Sequence, residues 1–289
     1  MSSESQPRVG PLILIASCAA AVMASVLLGN DLTWQLWFIV PMIAVLGLPH
    51  GCLDLEIAKV LRPLPSVQSI VAFLGLYLLI AGAVLLAWMA APGPALVAFL
   101  IYSAVHFGGD WRQHLKRGLH LLPGFAIISV AALLQIEQTI QILAFLAPQD
   151  WAVSIALAMK WTACAVVPAS IGIMLATRVE RVVLVEFTCL MALGLLAPPL
   201  VFFTVYFCIA HSPKHIGDTL SALKMPFTNG IRRALPIWLV TMIGAGGAVV
   251  LLPAALSVAT VQVIFIGLAA LTVPHMLLVE SLWRRDLAS

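Results

Sequence analysis

Residues 67–91 read VQSIVAFLGLYLLIAGAVLLAWMAA and contain no charged side chain. A helix that crosses the hydrocarbon core of a bilayer needs roughly 20 predominantly apolar residues, so this stretch predicts a membrane span. The whole chain has the same character: 62% of its 289 residues are hydrophobic and 9% are charged, with a mean hydropathy of +1.09. Soluble domains carry about 25% charged residues. We therefore predict an integral membrane protein.

Nine further blocks approach the same length, and turn sequences rich in proline, glycine and asparagine separate them. The ten blocks cover residues 11–29, 34–50, 67–91, 94–110, 119–136, 151–176, 181–197, 199–217, 233–252 and 259–281. We predict an all-α, polytopic transmembrane bundle of ten spanning helices, with residues 1–289 forming one domain. Eight or nine helices is the alternative. The first block is interpreted as a span rather than a cleaved signal peptide, and 137–150 as a short interfacial segment.

Basic residues indicate the orientation, because cytoplasmic loops are enriched in lysine and arginine. With the N-terminus inside, all but Lys160 fall on inner segments: Arg8, Lys59, Arg62, Arg112, Lys116, Arg117, Arg178, Arg181, Lys214, Lys224, Arg232, Arg233, Arg284 and Arg285. We therefore expect both termini in the cytoplasm. The net charge of +3 is small and spread over many loops, which gives no indication of nucleic-acid binding.

Five of the seven histidines lie in or at the ends of apolar blocks. They are His50, His106, His211, His215 and His275, and the topology above places all of them in the cytoplasmic half of the bilayer. Polar residues inside a membrane are costly and mark functional sites. One such histidine is as well explained by a hydrogen bond to a neighbouring helix. Five at one depth, two of them four residues apart on one helix face, predict a metal site.

Carboxylates follow three of these histidines at helical spacing. Asp54 comes four residues after His50, Asp110 four after His106, and Asp218 three after His215. If the helices continue, each carboxylate can accept the second ring N–H of its histidine and orient the ring for a metal. Gly51, Gly108 and Gly109 can interrupt that geometry, and water-exposed helix ends are the alternative. We interpret the other two histidines, His114 and His120, as loop or interface residues.

The type of donor indicates the metal. The five cysteines form no C-x-x-C pair and sit in apolar surroundings, so we interpret them as packing residues, with Cys52 beside His50 the one to watch. Imidazole suits zinc, copper, iron and nickel. Four neutral histidines would leave positions open in an octahedral site, which favours oxygen chemistry on Fe2+ over a structural zinc site.

Four motifs together resemble one family, the Brp/Blh-type β-carotene 15,15′-dioxygenases of bacterial and archaeal membranes. The resemblance rests on Gly47-Leu48-Pro49-His50-Gly51 with Leu53-Asp54, on His106-Phe107-Gly108 with Asp110, on His211-Ser212-Pro213-Lys214-His215, and on Pro274-His275-Met276 with Glu280. It implies cleavage of the central double bond of β-carotene by O2 into two molecules of all-trans-retinal, usually for a rhodopsin. It also implies a multi-pass protein of the bacterial inner membrane.

The resemblance further implies that Fe2+ is held by His50, His106, His211 and His215. The residues expected around these ligands are Asp54, Asp110, Asp218 and His275. Cys52 and Lys214 depart from the family pattern, which leaves room for another carotenoid substrate. Residues flanking the histidines are candidates for a substrate tunnel, although aromatic side chains near a membrane interface commonly form belts; the candidates are Tyr102, Phe107, Trp111, Phe203, Tyr206, Phe207, Met276 and Trp283.

Two other functions are compatible with histidines inside a membrane. A transporter or channel could use them for a metal ion or protons, but repeated halves, which are common in transporters, are only weakly suggested by the His50 and His106 motifs. A diiron or haem oxidoreductase acting on lipids is the second alternative. Membrane desaturases carry histidine boxes such as H-x-x-H-H, which this sequence lacks.

Overall fold

The computed structural model describes residues 10–116 and 118–286, with side chains as far as Leu282. This part of the chain is helical and contains no strand, which confirms the all-α prediction. The helices are α1 (Pro11–Leu28), α2 (Leu32–Met42), α3 (Asp54–Leu61), α4 (Val67–Ala90), α5 (Pro92–Gly108), α6 (Leu121–Ser129), α7 (Ile136–Ala144), α8 (Gln149–Ala176), α9 (Arg181–Leu196), α10 (Pro199–Val205), α11 (Ser212–Ala222), α12 (Phe227–Leu251) and α13 (Leu256–Asp286).

Seven helical segments among the described residues are long and apolar enough to cross a membrane. They are Pro11–Leu28, Leu32–Leu61, Val67–Ala90, Pro92–Trp111, Gln149–Ala176, Phe227–Leu251 and Leu256–Leu282. A bent pair, Leu121–Leu133 with Ile136–Ala144, would make eight. The remaining predicted blocks are also helical, but α9 has 16 residues and the α10–α11 region carries Lys214 and Asp218. The count of ten spans and the orientation therefore stay predictions.

The helices change their winding at two of the five clustered histidines, His50 and His211. Residues Ile43–Gly47 form a π-helix that passes into a 3-10 helix at Leu48–Leu53, and a second π-helix covers Tyr206–His211. Such interruptions recur at functional sites because they redirect side chains. The predicted C-terminal boundary of the second block was therefore wrong. The helical segment does not stop at His50 but continues through α3 to Leu61. Proline is tolerated in a first helical turn, and Pro49 stands there in the 3-10 segment.

A sharp bend of 104° separates α6 and its 3-10 extension from α7. The predicted interfacial segment 137–150 begins in α7, which packs on the protein through Thr139 and Leu143. Two carbonyl groups directly after α7 have hydrogen-bond partners. Trp88 Nε1–H donates to the oxygen of Leu146 at 2.9 Å, and the Gln262 side chain donates to the oxygen of Phe145 at 2.8 Å. Irregular backbone at membrane depth requires such internal partners.

The helix that carries His106 is held by a close crossing of α5 and α6. A Cβ added at Gly124 would lie 2.1 Å from the carbonyl oxygen of Ala104 and 2.6 Å from the nitrogen of Gly108. Both atoms belong to backbone that cannot rotate away. Small residues let membrane helices approach this closely, so Gly124 fixes where the end of α5 lies.

We expect Gly124→Ala to lower stability by about 1–3 kcal/mol, the usual cost of overpacking, and to displace the end of α5. The thermal unfolding midpoint of the detergent-purified protein measures the change. Gly75→Ala on α4 is the matched control, because a Cβ there meets nothing within 4 Å. Equal midpoints for the two variants would show that the crossing is not tight.

Candidate metal centre

The five histidines predicted to share one depth form a single cluster. His50 lies in the 3-10 segment after α2, His106 in α5, His211 at the end of the second π-helix, His215 in α11 and His275 in α13. Their ring centroids are 4.8–6.0 Å apart in eight pairs. His50, His211 and His275 are buried. The structure thus brings together residues that are up to 225 positions apart in the sequence.

Two irregular segments are fastened to each other where they carry His50 and His211. The Ser212 hydroxyl donates to the carbonyl oxygen of Leu46 at 2.5 Å. A Cβ on Gly47 would lie 2.7 Å from the ring of Phe207, so glycine allows this approach. The departure from regular winding and the contact between the segments together place the two rings 5.8 Å apart.

Three of the rings make up a group that can hold a metal ion. One nitrogen each of His50, His106 and His211 lies within 4.8 Å of the others, and the Nε2 atoms of His106 and His211 are 3.1 Å apart. The donors are all imidazole nitrogens, a set that suits zinc, copper, iron or nickel. Beside this group, the Nε2 atoms of His215 and His275 are 3.0 Å apart.

Carboxylates do orient histidines here, but the predicted pairings of Asp54 with His50 and of Asp110 with His106 were wrong. Asp110 accepts from Nδ1 of His211 at 3.1 Å, not from His106, and Asp54 accepts from Nδ1 of His275 at 2.7 Å, not from His50. His50 instead donates to the carbonyl of Gly47 at 2.5 Å. The cause is local winding: 3-10 segments at Leu48–Leu53 and Gly109–Trp111 move the aspartates off the faces of the preceding histidines.

Each of the two carboxylates has a tyrosine partner. The hydroxyl of Tyr206 donates to Asp110 and that of Tyr77 donates to Asp54, both at 2.8 Å. Lys214 Nζ also donates to the main-chain oxygen of Asp110. Tyr77 was missed by sequence reasoning. A signal existed, because a phenol hydroxyl inside an apolar span such as 67–91 needs a partner.

An apolar cavity opens from the histidine cluster. It is lined by His50 and His106 at one end and by Leu96, Leu143, Leu146 and Met159 farther away. Along α5 it extends from His106 to Leu96, ten residues, which corresponds to about 15 Å at the helical rise. The wall residues on α7 and α8 were missed by sequence reasoning, which looked only beside the histidines.

The predicted tunnel residues divide between this cavity and other places. Phe107, Phe203, Tyr206 and Phe207 line the cavity. The structure places the others elsewhere, because neighbours in sequence on a helix point to different sides: Trp111 packs edge-on against Phe187, the Tyr102 hydroxyl lies 3.4 Å from the carbonyl of Val273, and Met276 lines a polar cavity. The side chain of Trp283 lies outside the described residues.

That polar cavity meets the cluster from another side. It is lined by His106, His211 and His215 together with charged residues, Asp218 and Glu280 among them. Asp218 and His215 line the same cavity, and the predicted hydrogen bond between them stays a prediction. The histidines stand between an apolar space and a polar one, and His106 borders both.

The remaining candidates have packing or loop roles. All five cysteines are free, and the buried Cys52 thiol lies 3.4 Å from the carbonyl of Leu48. His114 lies after α5 and lines a small cavity with Trp111. His120 stands at the start of α6, where burial, and next the charge of Arg112, lower its pKa. Both are separate from the five-histidine cluster, as predicted.

A helical protein with several membrane-spanning segments and a buried histidine cluster beside an apolar cavity belongs to the class of integral membrane proteins with a candidate metal centre. The family described as Beta-carotene 15,15'-dioxygenase matches residues 40–283, which include all five clustered histidines. The chain is also 30% identical over 270 residues to the Beta-carotene 15,15'-dioxygenase of an uncultured marine bacterium, 66A03. That alignment covers 86% of this chain and 94% of the relative.

The chain therefore belongs to the β-carotene 15,15′-dioxygenase family, which confirms the resemblance inferred from its motifs. No solved structure matches it.

Proposed function

We propose that this protein is an iron-dependent dioxygenase that cleaves the central 15,15′ double bond of β-carotene with O2 to give two all-trans-retinal. The single observation that carries the proposal is the apolar cavity that ends at His50 and His106. Family membership supplies the substrate class, and the cavity supports it with a space of suitable shape and polarity.

The length of the cavity supports cleavage at the centre of the polyene. β-Carotene is a rod about as long as the bilayer core is thick, about 30 Å. From its centre to one end it therefore measures about 15 Å, the same as the distance from His106 to Leu96 along α5. A half-molecule lying in this cavity places the central double bond beside the histidines. Position along the rod then decides which bond breaks.

The residues that would hold Fe2+ are His50, His106, His211 and His215. Three of them form the group with nitrogens within 4.8 Å, and His215 lies 5.5 Å from His50 by ring centroids. Iron would supply the activation of O2, and the protein supplies orientation and a dry site. Asp110 fixes the tautomer of His211, because a carboxylate beside Nδ1 leaves the lone pair on Nε2.

The apolar wall has its own part in the reaction. A polyene offers almost no polar handle, so recognition must come from shape and apolar contact. Phe203 and Phe207 stack at a centroid distance of 5.3 Å and line the cavity next to the cluster. We propose that these rings hold the chain of double bonds against His50 and His106 and keep water away from it.

The transporter alternative gains no support from the site. The part of the cavity wall away from the histidines is apolar, which does not suit the passage of an ion. We further propose that the protein lies in the bacterial inner membrane, takes β-carotene from the bilayer and hands retinal to a rhodopsin.

Expression in a bacterium that accumulates β-carotene tests the proposed function. We expect the cells to lose their orange colour and retinal to appear at two molecules per β-carotene consumed. Purified protein should contain iron and should require it for cleavage. Unchanged colour with folded, iron-loaded protein would refute β-carotene as substrate, and activity with zinc alone would refute iron.

A further inference from the structure

We propose that His275 is a fifth nitrogen ligand of the metal centre, presented by Asp54 and Tyr77 in the way that His211 is presented by Asp110 and Tyr206. The inference rests on the proposed metal centre but not on the identity of the carotenoid.

The hydrogen bonds determine which nitrogen of each ring carries the proton. Asp54 faces Nδ1 of His275 at 2.7 Å, and the carbonyl of Gly47 faces Nδ1 of His50 at 2.5 Å. A carbonyl or carboxylate oxygen only accepts, so in each neutral ring Nδ1 carries the hydrogen and Nε2 the lone pair. The same holds for His211 beside Asp110. His275 thus has the tautomer of a metal ligand, with the lone pair of Nε2 on the side of the cluster, toward His215.

The arrangement of the rings places His275 around the same point as the others. His215 lies against all four other rings, at 5.0–6.0 Å. His50 and His106 each lie against both His211 and His275, at 4.8–5.8 Å. The five rings thus gather around one space. The group of three nitrogens within 4.8 Å does not include His275, so its ligation requires its ring, 5.2 Å from that of His50 by centroids, to move toward the ion.

The supports of His211 and His275 match in kind and in order. A tyrosine hydroxyl donates to a carboxylate, which accepts from Nδ1 of a histidine, and both hydroxyl bonds measure 2.8 Å. Carboxylate–histidine pairs of this type orient metal ligands and raise their basicity. The Asp54–His275 bond, at 2.7 Å, is shorter than the 3.1 Å of Asp110–His211. On this comparison His275 is at least as well prepared to bind as His211.

Asp54 and His275 are buried as a pair. Their side chains are 5% and 4% exposed. Within the described part of the chain, the hydrogen-bond partners of the Asp54 side chain are Tyr77 and His275. A divalent ion on the far side of the His275 ring would place a positive charge next to this buried acidic group.

The alternative role of His275 is a hydrogen bond to His215, whose Nε2 lies 3.0 Å away. Because Nε2 of His275 carries the lone pair, His215 would have to donate, and this nitrogen of His215 could then not bind the ion. The two roles predict different numbers of imidazole ligands. Metal coordination, measured directly, separates them.

The test is X-ray absorption spectroscopy of anaerobic, Fe2+-loaded, detergent-purified protein, with Fe2+ affinity measured in parallel. We expect five imidazole ligands in the wild type and four in His275→Ala, with affinity lowered by at least about 10–100-fold, the range known for outer partners of ligands. His275→Gln should behave in the same way. His114→Ala is the matched control, because His114 is a histidine outside the cluster, and it should match the wild type.

Asp54→Asn keeps an acceptor but loses the charge, and serves if the His275 variants do not fold. We expect it to keep all imidazole ligands and to weaken Fe2+ binding by about 10–100-fold, as Asp110→Asn should. An imidazole number that His275→Ala leaves unchanged would overturn the assignment, as would full affinity in Asp54→Asn. A wild-type protein that binds no Fe2+ would instead refute the proposed function, so the two failures are distinguishable.

Discussion

Replacing His106 by alanine should remove the bound metal and lower retinal formation by more than about 100-fold. His106 belongs to the three-histidine group, and its Nε2 lies 3.1 Å from that of His211. Loss of an outer partner of a ligand costs 10–100-fold in metal affinity or activity, and loss of a ligand should exceed that. His106 also borders both cavities, so its ring stands where the polyene and the ion would meet.

Metal content per protein and retinal yield are the two measurements for this variant. His114→Ala again serves as control, since it removes an imidazole eight residues further along the chain that is not one of the five clustered histidines. A monodisperse size-exclusion profile shows that the variant folds. If His106→Ala kept full metal content and activity, His106 would not be a ligand, and the metal would have to be bound by the other histidines.

The convergence of the histidines could be predicted from sequence, whereas their partners could not. Depth follows from counting residues along apolar helices, and that count places His50, His106 and His275 at a similar level. The hydrogen-bond partner of each ring depends instead on the direction in which its side chain points around the helix axis. A single residue of 3-10 or π winding changes that direction. The prediction that Asp54 accepts a hydrogen bond from His50 assumed α-helical winding through Gly51, and the structure has a 3-10 helix there.

The far wall of the cavity could not be predicted for a different reason. Phe203 and Phe207 flank a histidine in sequence and do line the cavity. Leu143 lies on α7, whose position depends on the bend of 104° after Leu133. A contact distant in sequence lies at that bend, where the Gln135 side chain donates to the carbonyl of Leu195 at 3.3 Å. No local pattern encodes such a contact, so the sequence predicts only a short interfacial segment at 137–150.

The three tyrosines of the chain are a sequence signal that could have located the buried polar partners of the histidines. Each hydroxyl meets an acceptor in or next to the site: Tyr77 on Asp54, Tyr206 on Asp110 and Tyr102 on the carbonyl of Val273, two residues before His275. A hydroxyl in a membrane span must be paired. Three tyrosines in a chain so apolar therefore point to the places where polar partners are buried.

Leu143→Trp should abolish cleavage of β-carotene while leaving the metal bound. Leu143 is buried and lines the cavity in the part formed by α7, away from the histidines. The larger indole would shorten a space that matches half the polyene at about 15 Å. The rod could then no longer seat its central double bond beside His50 and His106. We expect retinal formation to fall by at least about 100-fold, since a misplacement of 1 Å can cost that much.

The controls separate a blocked cavity from a damaged protein. Leu143→Met conserves volume and should keep activity within a few-fold, and Leu78→Trp adds an indole on the exposed surface of α4. Both should bind iron and cleave β-carotene. A truncated carotenoid with one shorter arm should regain cleavage in Leu143→Trp, because the shorter arm fits the reduced space. Full activity of Leu143→Trp on β-carotene would show that the polyene binds elsewhere and that the length of this cavity does not determine which double bond is cleaved.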